Sequence, residues 1–139
     1  MIKKSLIALG ALALALPAGS AFADSRTITL HLTNETNYLL DDLTLNHHQV
    51  NIHSSSASIQ PGGHVGTIEF SYNRDTADNV YVHAFYTISG DDNQTVEFKY
   101  KMKITNTAVN FDCTIDKPEG FTGSHEDCSH ENPKYTLID

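Results

Sequence analysis

Two cysteines and eight histidines are the side chains of this sequence best suited to bond formation, metal ligation or proton transfer. Cys113 and Cys128 are separated by a segment rich in Gly, Pro and acidic residues, and a disulfide between them closes a loop worth roughly 3 kcal/mol in the chain-entropy picture. The same region, His125-Glu126-Asp127-Cys128-Ser129-His130, offers with Cys113 the Cys2His2 donors that zinc accepts, but the spacing matches no finger pattern and exported thiolates oxidise. The disulfide is the preferred reading. His47 and His48 are adjacent and would point to opposite faces of a strand, and His53 does not converge with them without help from the fold. They read as exposed polar side chains, with a weak loop site shared with Asp41 or Asp42 as the alternative. No Gly-x-Ser-x-Gly elbow, activated cysteine or framed carboxylate pair is present in the sequence, so no catalytic residue, metal site or cofactor is assigned, and the protein is read as a non-enzyme.

Two clusters are candidates for binding instead. Lys99, Lys101 and Lys103 recur at every second position and line one face of a strand. Such a stripe suits a lipid phosphate or an acidic partner, and it equally suits an edge strand protected from aggregation by lysines. Tyr81, His83 and Phe85 form an aromatic face opposite the Val80 set: core if both sheet faces are covered, a binding surface if not.

The elements that must position these residues read as strands. Ile28, Leu30 and Leu32 alternate with polar residues, and a turn is expected at Asn34-Glu35-Thr36-Asn37. Tyr38 to Leu45 is apolar but interrupted by Asp41-Asp42; Val50 and Ile52 mark a short strand before a Ser54-Ser55-Ser56 loop; Pro61-Gly62-Gly63 is a turn. Gly66, Ile68, Phe70 and Tyr72 then share a face, Val80 to Ile88 reads as a central strand, and Gly90-Asp91-Asp92-Asn93 closes a hairpin. In Val96 to Ile104 the apolar and the charged sides separate cleanly. Val109 to Ile115 and Tyr135 to Ile138 supply the last strands. No helical period or internal repeat is visible, so the expected fold is an all-β antiparallel β-sandwich of about seven to eight strands, with a barrel giving much the same linear pattern.

Lys3 and Lys4, the apolar run Leu6 to Leu16 and Ala21-Phe22-Ala23 read as a secretory signal peptide over residues 1–23, too short for a spanning helix, which needs about 20 apolar residues. The expected product is one domain over residues 24–139, periplasmic or secreted. Loss of Lys3 and Lys4 with the signal takes the 9 basic residues to 7 against 17 acidic, a net charge of −10. That field opposes nucleic acid, which is excluded as a partner. The histidines add positive charge as pH falls.

The run Ile28-Thr-Leu-His-Leu-Thr-Asn34, then Thr36, Tyr38, Leu43 and Leu45, followed by Ile59-Gln60-Pro61-Gly62-Gly63 and an alternating strand, resembles the opening half of aegerolysins over about fifty residues. The resemblance implies a small β-sandwich related in shape to actinoporins and recognition of membrane lipids such as sphingolipids, in some members with recruitment of a larger pore-forming partner. The chain has no Trp, so interfacial anchoring would fall to Tyr and Phe. Two functions from different classes follow: an exported binding module for a membrane lipid headgroup or a glycan, or an acidic periplasmic binder of a basic protein partner, such as an inhibitor of a basic hydrolase like lysozyme. An envelope structural protein without a small ligand is the third.

Overall fold

The computed structural model describes residues 24–139; the signal peptide expected over residues 1–23 lies outside the described residues. Among the described residues nine strands form: β1 Ser25–Glu35, β2 Leu39–His48, β3 Asn51–Ser55, β4 His64–Asn73, β5 Asn79–Ser89, β6 Gln94–Ile104, β7 Val109–Asp116, β8 Thr122–Glu126 and β9 Lys134–Ile138. They pair into a five-stranded sheet ordered β3-β4-β1-β9-β8 and a four-stranded sheet ordered β2-β5-β6-β7. The two sheets pack as a sandwich. The inward residues of every long strand meet in one core containing Leu30, Leu32, Phe70, Val82, Phe98 and Leu137, as the period-2 patterning requires.

The strand count exceeds the expected seven to eight because β8, Thr-Gly-Ser-His-Glu, carries no apolar alternation; it forms by antiparallel pairing with β9. The sheets are not wholly antiparallel either, since β9 runs parallel to β1. The serines expected in a loop are partly strand, Ser54 and Ser55 pairing with Glu69 and Ile68 on β4.

The interruption at Asp41-Asp42 is a β-bulge. Asp42 adopts φ 54°, and the β2–β5 register shifts between Asp41 and Thr44. Leu40 has even parity while Leu43 and Leu45 are odd, so a regular strand would turn one set outward. The extra residue lets all three pack against the core and places Thr44, Asn46 and His48 outside.

Polar groups inside are largely satisfied. Buried Asn34 donates through Nδ2 to the carbonyls of Tyr38 (2.8 Å) and Ile59 (3.0 Å) and accepts from the Thr36 hydroxyl at 2.6 Å, fixing the crossing from β1 to β2. Two tyrosines tie the layers: the Tyr86 hydroxyl donates to the Ser56 carbonyl, and the Tyr135 hydroxyl on β9 donates to the Lys99 carbonyl on β6, each at 2.7 Å. Cys113 and Cys128 form a disulfide, linking β7 to the loop before β9. Its presence accords with an oxidising compartment.

Candidate functional site

The outer face of the four-stranded sheet collects both clusters singled out in the sequence. Among the described residues no layer covers it: Tyr81, His83 and Phe85 are half-buried, while Val80, Val82, Ala84 and Tyr86 fill the core on the other side of β5. Register then does what sequence alone left undecided. Tyr81 stands opposite Lys101, His83 opposite Lys99 and Phe85 opposite Glu97, so the lysine stripe and the aromatic face are one surface.

The lysine strand is not an edge. β6 lies between β5 and β7, which removes the edge-protection explanation of the stripe; the edges of this sheet are β2 and β7. β7 supplies what the stripe needs to sit inside a sheet. Asp112 is opposite Lys101 and Asp116 is opposite Glu97, one step from Lys99.

The central contacts form a charge network. Lys99 Nζ lies 2.6 Å from Asp116 Oδ2 and 4.0 Å from Glu97 Oε1, and the other Glu97 oxygen lies 3.3 Å from His83 Nδ1. The hydrogen bond to Asp116 raises the Lys99 pKa above its ordinary value. His83 moves the other way: burial disfavours its charged form and outweighs the pull of Glu97, and Lys99 and Lys101 add to the lowering. A neutral His83 with its proton on Nδ1 donates to Glu97, leaving Nε2 as an acceptor.

Beside this network runs a ladder of rings. His48 stacks on Tyr81 with centroids 5.4 Å apart and planes at 15°, and Tyr81 meets His83 at 4.9 Å. Two shallow hollows open on the same face. One, of about 320 Å³, is lined by His83, Lys99, Lys101, Asp112, Thr114 and Asp116. The other, of about 430 Å³, is lined by Phe85, Gln94, Thr95, Glu97, Asp116, Lys117 and Pro118. They share Asp116. The face therefore offers flat rings, carboxylate acceptors, ammonium donors and an imidazole acceptor within one patch of low net charge.

Lys103 stands apart, opposite Asn79 and Asn110 at the far end of the strand and outside both hollows. Sequence reasoning missed Asp112, Thr114 and Asp116. Their alternation with Phe111, Cys113 and Ile115 was readable, but which lysine each would meet depends on the Thr105–Ala108 turn, whose backbone bond from Thr105 to Ala108 sets the β6–β7 register. The histidines disperse: His48 joins the ring ladder on one sheet, while His53 lies on the other with Nε2 2.7 Å from Ser71 Oγ. Among the described residues no group of three or more His, Cys, Asp or Glu is placed to hold a metal ion. No protein-family model matches the chain, and no curated protein matches it.

Proposed function

We propose that this protein is an exported binding module whose outer four-stranded face takes a polyhydroxylated headgroup, as a free glycan or as the sugar of a glycolipid. The observation carrying this reading is the uncovered Tyr81–His83–Phe85 face in register with Lys99, Lys101 and Glu97. A sugar presents an apolar face of C–H bonds and a rim of hydroxyls. Flat rings accept the first, and charged acceptors and donors beside them hold the second with strong hydrogen bonds. Few polar groups at fixed positions, on strands rather than loops, are what a specific small-ligand site requires. A bare phosphate fits less well, because Asp112 and Asp116 neutralise the lysines that would attract it. The aegerolysin-like resemblance, an export signal and a periplasmic or extracellular location agree with this role and form part of the proposal.

Calorimetric titration of the mature protein with oligosaccharides, alongside co-sedimentation with glycolipid vesicles, tests it and separates the two sources. Saturable binding that falls about tenfold or more in Tyr81→Ala and Phe85→Ala is expected. Absence of binding to either source, or binding indifferent to both substitutions, would reject the face.

A second reading rests on charge. Asp41, Asp42, Asp91, Asp92 and Asp116 gather toward the end of the sandwich where β5 turns into β6. That end would steer a basic protein such as a lysozyme-like hydrolase into contact. Inhibition of such an enzyme, lost when Asp91 and Asp92 become Asn, is the outcome that would favour it.

A further inference from the structure

At the opposite end of the sandwich, residues of both sheets line a further hollow of about 230 Å³. The sequence contains two arginines, Arg26 and Arg74, and both line it. Arg26 belongs to the inward-facing set of β1, in line with Ile28, Leu30 and Leu32, and stands directly opposite Tyr72. A guanidinium on the core side of a strand is costly unless a partner satisfies it. Among the described residues, neither arginine has a carboxylate within ion-pairing distance; the ion pairs of the structure involve His83, His130, Lys99 and Lys134.

The floor below the guanidiniums is apolar. Ile28, Met102, Val109 and Phe111 converge there from both sheets, and Val109 is 40% exposed. One step inward from Met102 on β6, the hydroxyl of fully buried Tyr100 finds no hydrogen-bond partner among the described residues and feels the Tyr72 hydroxyl electrostatically. The wall is rigidly held. Ser129, His130 and Glu131 follow Cys128, whose disulfide anchors them to β7, and the Thr29 amide donates to the Glu131 carbonyl at 2.9 Å.

We propose that this mouth binds a small amphiphilic anion, a carboxylate or phosphate monoester with a short hydrocarbon tail. Two guanidiniums grip the head by paired charge-assisted hydrogen bonds, and the tail lies over Ile28, Met102 and Phe111. The small volume, below that of a drug-sized pocket, restricts the ligand to few carbons. Glu131 is an opposing charge on the rim, and Asp75 acts on both arginines from beyond ion-pairing distance, so neutralisation of Glu131 removes one of two opposing carboxylates and strengthens binding. The site is independent of the four-stranded face.

With two arginines in the chain, their Nε–H signals in a proton–nitrogen correlation spectrum report on the site directly. The disulfide-intact protein is titrated with hexanoate and hexyl phosphate, with hexanol and acetate as controls. The expected result is a saturable shift of both signals by at least one amphiphile, weaker by about tenfold in Arg26→Gln and stronger in Glu131→Gln, with hexanol and acetate each binding less well. Arg74→Gln, at an exposed position, applies the same test without touching the core. No saturable shift with either amphiphile, affinity for hexanol equal to that for hexanoate, affinity for acetate equal to that for hexanoate, or affinity unchanged in Arg74→Gln would each overturn the proposal.

Discussion

Lys99 Nζ and Asp116 Oδ2 meet at 2.6 Å across the β6–β7 ladder, and this contact changes what the lysine stripe can do. Three lysines on one strand face form a cationic row in isolation. Beside β7, the first two lie next to carboxylates, Lys99 beside Asp116 and Lys101 opposite Asp112.

Anionic vesicles should therefore retain the native protein poorly even at low ionic strength. The double variant Asp112→Asn, Asp116→Asn unmasks the stripe, and its retention on the same vesicles should rise and then fall again as salt is added. Stability should change little, within about 1 kcal/mol, because both carboxylates are at the surface. Co-sedimentation at two salt concentrations checks this; equal retention of the two proteins would mean the pairing does not mask the lysines.

His83 gives the site a pH dependence of defined sign. Its pKa in the fold is lowered from 6.5, first by burial, so the unfolded chain takes up the proton at higher pH than the folded one. Stability associated with neutral His83 is complete above about pH 6.5 and is lost as pH falls through that value toward the folded pKa. Urea melts of native protein and His83→Gln on either side of this window should diverge only on the acid side. Parallel curves would show that the imidazole titrates alike in both states.

Removing Asp42 should be far more damaging than replacing it. Without the extra residue, Leu43 and Leu45 or Leu40 must face solvent, and Thr44, Asn46 and His48 leave the ring-bearing face. Asp42→Gly keeps the bulge, tolerates φ 54°, and is expected to be near neutral or mildly stabilising. Thermal melts and the far-ultraviolet spectra of the two variants distinguish these outcomes.

Gly66 is a close-packing position. A methyl group there would lie 2.6 Å from Ile59 Cδ1 and Cγ1 and 3.2 Å from Ser56 Cβ. Ile59 is itself buried and hydrogen-bonded through its backbone to Leu40, so it has little room to withdraw. Gly66→Ala should cost about 1–3 kcal/mol by overpacking, and Ile59→Val in the same chain should recover part of it. A melt showing no loss in Gly66→Ala would contradict the packing.

The Tyr135 hydroxyl reaches the Lys99 carbonyl from behind the site at 2.7 Å. Tyr135→Phe should lose about 1 kcal/mol of stability, the ordinary net value of such a bond. It should also broaden the amide signals around Lys99 more than those around Tyr81, which a stability change alone would not do.

Alternation in the sequence decided which side of each long strand is core, because side chains on a pleated strand change sides at every residue and water penalises the wrong choice. Val96 to Ile104 was legible in this way, as was the pairing of Cys113 with Cys128, whereas Val80 to Ile88 was legible as a central strand but, with apolar residues on both faces, not as to whether its Tyr81–His83–Phe85 side is covered. β8 was not legible, since Thr122–Glu126 is a strand through its bonds to β9 rather than through any pattern of its own. Nor was the site. Whether Lys99 meets Asp116, whether Tyr81 lies beside Lys101, and whether Arg26 opens onto Tyr72 are matters of register and sheet order, fixed by turns and by packing between residues far apart in the chain. Local patterning chooses a face; only the assembled sheets choose its neighbours.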